Sequence, residues 1–198
     1  MKIVVCIKRT PDTETRVRLG EDRTAIETEG VKFIISPYDE FAIEAALQLK
    51  ESAGEGEVVL LSMGGEETQE TLRQGLAMGA DRAVLLRGAP ASDGLATAKA
   101  LSAELRTMEA SLVLFGMKGA DMDQQQVGAM AGTLLGLPCA TGVSAFELEG
   151  QTVTCRREVE GGTEILEMGL PAVITMTKGK FEPRYASLKG IMAAKRKP

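Results

Sequence analysis

The chain contains no histidine. That removes His-based catalytic triads, His metal sites and the usual general base for neutral pH. Cysteine is scarce. Cys6, Cys139 and Cys155 lie far apart, form no CxxC and no zinc spacing, and three cannot all pair within one chain. A reducing cytoplasm is the simplest compartment for them. No long apolar run opens the chain: Met1-Lys2 leads straight into residues 3–7, too short for a signal-peptide core or a membrane span. Walker A, GxGxxG, GxSxG and HExxH patterns are all missing. An excess of positive charge is missing too. The net charge is -5 with basic residues scattered, so nothing points to nucleic acid. The run Lys195-Arg196-Lys197 reads as a solvated end rather than a binding patch. Any catalysis would rest on carboxylates, lysine or cysteine.

What is present is an ordinary globular composition. The 198 residues are 44% hydrophobic and 26% charged, enough for one large domain or a domain with an appendage. Apolar runs of strand length recur at residues 3–7, 58–62, 83–87 and 112–115, with helical patterns between most of them. This alternation predicts an α/β fold, a mostly parallel sheet with helices on both faces. The first helix has a clear start. Ser36 can act as N-cap, Pro37 sits at N1 beside Tyr38, and Asp39 at N3 can complete a capping-box-like pair. Glu40, Glu44 and Gln48 fall on one face, Ala42, Ile43, Ala46 and Leu47 on the other, and the helix ends near Gly54. Ser62-Met63-Gly64-Gly65 then joins a strand to a helix beginning at Glu66 or Glu67 and stopping at Gly79. Another helix spans 93–108.

The most informative stretch is Gly116-Met117-Lys118-Gly119-Ala120-Asp121-Met122-Asp123-Gln124-Gln125-Gln126-Val127-Gly128. It follows a buried-strand pattern and precedes a small-residue helix over 129–135. Open parallel sheets build ligand crevices in this way, at the carboxyl ends of their strands. Two carboxylates and three amides in positions 121–126 exceed what a connector needs. Asp121 and Asp123 suit a hard cation, ribose hydroxyls, an adenine edge or a phosphate-bound water. The plainer reading is helix capping by Asp123 or Gln124. Cys6 and Met63 fall at the sheet rim bordering the same crevice, although a small buried hydrophobe accounts for Cys6.

Beyond Pro138 the rhythm changes. Residues 152–160 and 163–168 are strand-like around Gly161-Gly162, which fits a two-residue hairpin turn. The last third is therefore expected to be antiparallel, closing with a strand over 171–177. Residues 178–198 are basic and irregular, with a turn at Glu182-Pro183-Arg184-Tyr185 and an exposed Leu188. The organisation predicted is an α/β domain over 1–177 and a C-terminal segment over 178–198.

With these segments placed, the chain resembles the beta (small) subunit of electron transfer flavoprotein along essentially its whole length. The matching stretches are Val4-Val5-Cys6-Ile7-Lys8-Arg9, Ser36-Pro37-Tyr38-Asp39-Glu40, Glu70-Thr71-Leu72-Arg73, Leu76 through Arg82, Glu158-Val159-Glu160-Gly161-Gly162 and Glu182 through Leu188. The resemblance implies a Rossmann-like domain that pairs with a larger alpha subunit. The redox-active FAD would be held mainly by that partner, and the beta subunit would add part of the flavin's surroundings and bind a structural AMP. The implied AMP pocket maps onto Cys6, Ser36 to Asp39, Met63 and Gly116 to Val127. The implied docking segment for flavin-containing dehydrogenases maps onto Arg184, Tyr185, Leu188, Ile191 and Met192, with Leu188 as anchor. The implied role is electron carriage toward a membrane quinone reductase, with no residue doing acid–base or covalent chemistry.

Three departures bear on this. The loop reads Asp-Met-Asp-Gln-Gln-Gln-Val at 121–127, where typical AMP binders resemble Asp-Asp-Asp-Cys-Asn-Gln-Thr. Residues 7–13 and Gln126-Val127-Gly128 partly resemble the flavin-bifurcating branch, in which a second FAD takes the AMP position and NADH reacts with it. Relatives usually continue past the point equivalent to Pro198, onto the alpha subunit. A stand-alone nucleotide-hydrolysing or adenylating enzyme would share the sheet topology, but its glycine-rich phosphate signatures are absent.

Overall fold

A computed structural model of the chain describes residues 1–21, 23–88 and 93–198. Strand β1 (Lys2–Cys6) sets the architecture. Side chains alternate along a strand, and here Ile3 and Val5 join one buried cluster while Val4 and Cys6 join another. Both faces of the sheet must therefore be covered. A short hairpin of β2 (Arg9–Pro11) and β3 (Phe33–Ile35) leads into α1 (Pro37–Ala53). Then β4 (Glu57–Gly64), α2 (Thr68–Met78), β5 (Arg82–Arg87), α3 (Gly94–Met108), β6 (Leu112–Gly116) and α4 (Val127–Leu135) follow in alternation. The chain ends in β7 (Cys139–Glu149), β8 (Thr152–Val159), β9 (Gly162–Gly169), β10 (Ala172–Met176) and α5 (Leu188–Ala194). The expected strands and the first four helices are all present, within a residue or two of the predicted bounds.

The sheet order is β5-β4-β1-β6-β10-β7-β8-β9. The six strands from β5 to β7 are parallel, and β8 and β9 add antiparallel. Residues of α1 and α2 fill the first cluster, including Ile43, Leu47, Leu72 and Leu76. Residues of α3 and α4 fill the second, including Leu101, Leu105 and Ala131. The chain lays β4 and β5 on one side of β1 and then crosses to β6 on the other. The sheet thus reverses its order between β1 and β6, which is where open α/β sheets leave a crevice at their strand carboxyl ends.

Four expectations need correction. The strand over 171–177 is not antiparallel: β10 inserts between β6 and β7 and runs parallel to both. All five of its residues are buried, so the centre of the sheet is the only place that satisfies them. The hairpin turn lies one residue earlier than Gly161-Gly162, because Val159 pairs with Gly162 and Gly161 takes the left-handed φ of 85°. Residues 178–198 contain a helix, α5, capped by Ser187 Oγ accepting the Gly190 N–H at 3.0 Å. The basic end is not wholly solvated: Lys197 Nζ donates to the Leu76 and Ala80 carbonyls at 3.0 and 2.6 Å.

Candidate functional site

The carboxyl ends of β1, β4 and β6 and the start of α1 meet where the sheet reverses its order, the place at which an open parallel sheet forms its crevice. Ser36 stands at the N-cap position of α1 but makes no side-chain cap there. Its hydroxyl donates to the Lys118 carbonyl at 3.3 Å and accepts the Ala120 N–H at 3.2 Å. Asp39 likewise does not form the expected capping pair. Its buried carboxylate accepts the Lys8 N–H at 2.7 Å and the Gly116 N–H at 2.9 Å. Both side chains thus turn away from their own helix and tie it to the strand ends. A carboxylate enclosed in this way is costly to ionise. Burial raises Asp39 to about 7, against the two N–H groups and the Lys8 charge, which pull it down.

The loop after β6 carries the crevice's charges. Lys8 Nζ pairs with Asp121 at 2.7 Å, and Lys118 Nζ pairs with Asp123 at 2.7 Å. Lys118 also lies 5.5 Å from the centre of the Tyr38 ring. A Cβ at Gly119 would lie 2.7 Å from Asp121 Oδ1 and 3.0 Å from Lys8 Cδ, so a larger residue here would make these two flexible side chains shift. Asp123 and Gln125 both hold left-handed φ, 58° and 53°, a conformation that Asp tolerates better than most residues. The Gln124, Gln125 and Gln126 side chains are exposed and form no side-chain hydrogen bond among the described residues. Gly128, the second residue of α4, then packs tight on the sheet, with the position of a Cβ only 2.4 Å from Thr175 Cγ2.

The structure joins Ser36 to Lys118 and Ala120, Asp39 to Gly116, and Tyr38 to Lys118, while Cys6 ends β1, Met63 lies near the end of β4, and the Gln124 and Gln126 side chains lie against Gly94 at the start of α3. Cys6 is buried, and burial followed by the Asp39 charge pushes its thiol well above its ordinary range. This matches an inert hydrophobe rather than a nucleophile. Sequence reasoning missed Lys8. Its signal was its place directly beyond the end of β1, where a side chain must face the crevice. Among the described residues, no three His, Cys, Asp or Glu side chains are grouped to hold a metal ion.

A second cluster stands away from the crevice. Leu188, Tyr185 and Met192 are strongly exposed, at 84%, 98% and 62%, and Ile191 is exposed beside them. Such grouped apolar exposure is uncommon on a surface without a partner. Arg184 is different. Its guanidinium donates to both oxygens of buried Glu44 and to both oxygens of Glu51. It therefore anchors the segment to α1 rather than facing outward. At the far end, Arg73 donates to the Ala194 and Lys197 carbonyls at 2.5 and 2.7 Å. The helix packs closely on α2: a Cβ at Gly190 would lie 2.3 Å from the Ala77 carbonyl oxygen.

An electron transfer flavoprotein domain matches residues 24–198. The chain is 41% identical over 198 residues to the electron transfer flavoprotein subunit beta of Syntrophomonas wolfei, covering 100% of this chain and 78% of that protein. It is 41% identical over 198 residues to the subunit beta of Bradyrhizobium diazoefficiens, with 100% and 80% covered. To the human subunit beta it is 39% identical over 201 residues, with 100% and 79% covered. The chain belongs to the electron transfer flavoprotein family, on its beta-subunit branch. Each of these relatives is named as the beta subunit of an electron transfer flavoprotein. No helix among the described residues of this electron transfer flavoprotein chain is long and apolar enough to cross a membrane.

Proposed function

We propose that the chain is the beta subunit of a heterodimeric electron carrier in the cytoplasm. In this reading it holds AMP in the crevice between β1 and β6, completes one wall around an FAD carried mainly by the alpha subunit, and presents Leu188 to flavin-containing dehydrogenases. FAD, when bound, supplies the electron-accepting chemistry, and electrons leave for a membrane quinone reductase. The chain's own residues bind and position.

The observation that carries the reading is the convergence of separate segments on the crevice with a donor set suited to a nucleotide. Lys8 and Lys118 offer cations for a phosphate, and the three uncommitted glutamine amides offer donors and acceptors for a base or ribose. The two lysines are held by Asp121 and Asp123, and an arriving phosphate would compete with those carboxylates for the same ammonium groups. The absence of histidine fits a subunit that transfers no protons in its work.

The test is flavin reduction in the co-purified complex. Under this reading the flavin is reduced by a flavin dehydrogenase and not by NADH alone. Bleaching by NADH without any dehydrogenase would instead favour a bifurcating subunit, with a second FAD in the crevice.

A further inference from the structure

Asp39 does something that neither capping nor ligand contact explains. It lies on α1, yet its two carboxylate oxygens accept the N–H groups just beyond the ends of β1 and at the end of β6. These are the adjacent central strands between which the sheet changes direction. Gly116 opens the ligand loop. Lys8 reaches into that loop through Asp121. One buried carboxylate therefore holds the roots of both segments that face the crevice. Gly116 is shaped to it: a Cβ there would lie 2.3 Å from Asp39 Oδ1 and 2.7 Å from the Asp39 backbone nitrogen.

We propose that Asp39 is a positioning residue that couples proton uptake to the grip of the crevice on its nucleotide; this rests on the nucleotide reading above. A carboxylate accepts two N–H groups, one on each oxygen. A carboxylic acid turns one of those oxygens into a donor. The proton then faces an N–H, and Gly116 or Lys8 loses its acceptor. The loop root loosens and the nucleotide leaves faster.

The groups facing Asp39 leave it as the titrating member. From β1 come the Cys6 thiol, held neutral by burial and by the Asp39 charge, and beyond it the Lys8 ammonium, which is paired with Asp121. From α1 comes Glu40, itself raised by burial. Among the described residues, β6 contributes the Gly116 backbone. The native value of about 7 lies above the ordinary 3.8. A raised native value means a contribution to stability that is complete below the ordinary value and lost as pH rises through about 7. Lowering pH through neutrality thus stabilises the fold as a whole while it weakens one local grip. A purely structural role for Asp39 would move both in the same direction.

The experiment uses the full chain co-purified with its flavin-bearing partner and loaded with AMP. AMP release and thermal midpoint are followed from about pH 8 to about pH 6. Expected is release that speeds up about tenfold, the worth of one hydrogen bond, with no fall in the midpoint. Asp39→Asn should release AMP quickly at every pH, and Glu40→Gln, which removes a charge that helps to raise Asp39, should keep the pH-dependent release with its midpoint moved lower. The Gly116 amide resonance, which needs no variant to fold, should titrate with an apparent midpoint near 7. A flat release profile in the native complex, a Gly116 amide that does not titrate, or an Asp39→Asn complex that keeps the native profile would overturn the proposal. A native complex that retains no AMP at any pH overturns the nucleotide reading, and the coupling with it.

Discussion

Arg184 and Glu44 are 140 residues apart in sequence and meet through a two-pronged ion pair, Nε to Oε2 at 2.7 Å and Nη2 to Oε1 at 2.9 Å. Glu44 is almost fully covered, with a side chain 4% exposed against 34% for Arg184. This pair roots the exposed C-terminal segment on the first helix. Burial alone would raise Glu44, but the Arg184 and Gln48 hydrogen bonds outweigh it and hold the carboxyl below its ordinary value of 4.5.

Arg184→Ala should therefore leave a covered carboxylate without its partner. Water can reach the partly exposed site, so the expected loss is about 2 kcal/mol, below the range for a wholly buried pair. Arg184→Lys should recover only part of it, because an ammonium cannot form the fork. Since the native Glu44 value is depressed, its contribution is present above 4.5 and lost as pH falls through the lower native value. Thermal melts across the acid range should show this loss in the native chain and not in Arg184→Ala.

Leu188 stands 84% exposed at the start of the helix that Arg184, Arg73 and Lys197 hold in place. Leu188→Ala should slow reduction of the complex by partner dehydrogenases. It should leave stability within about 0.5 kcal/mol of native, as for most exposed substitutions. Nucleotide content, measured after extraction, should not change. Loss of nucleotide would show that the segment serves the crevice instead.

Gly116→Ala drives a methyl group into the Asp39 carboxylate and the Tyr38–Asp39 backbone. Overpacking of this kind costs about 1–3 kcal/mol, and the loop root should shift with it. Both the thermal midpoint and the retained nucleotide should fall. Gly162→Ala, with nothing within 4 Å of the new carbon, is the control and should change neither.

The two crevice lysines separate binding from folding. Their ion pairs are partly exposed, with side chains 47% and 25% exposed for Lys8 and Asp121 and 19% and 64% for Lys118 and Asp123. Such pairs contribute about 0–1 kcal/mol. The double variant Lys8→Ala, Lys118→Ala should thus melt close to the native chain, yet hold nucleotide at least about tenfold more weakly in equilibrium dialysis. Unchanged retention would remove the lysines from the site.

Much of this was legible in the chain because β1, β4 and β6 are short apolar runs, each followed by a strand-end signal. The loop between β6 and α4 stands out in the sequence because polar residues are concentrated between an apolar strand run and a small-residue helix. The place of β10 was not legible. A fully buried run such as Ala172–Met176 states that it is central but not which strands flank it. Strand β7, broken by Gly142 at a φ of 67°, gave no clean alternation. The seven residues of α5 include Gly190 and too few turns for a periodic pattern. Ser36 and Asp39 were misjudged because helix capping is a local rule, whereas their partners at Lys118, Ala120, Lys8 and Gly116 come from distant segments.

The central claim is that the crevice between β1 and β6 holds an adenine nucleotide in a subunit whose redox flavin lies mainly on its partner. The most direct measurement is to release the ligands from the co-purified complex and identify and count them by mass. One AMP and one FAD per heterodimer is the result predicted. Two FAD with no AMP, or FAD with no second nucleotide, would contradict the account.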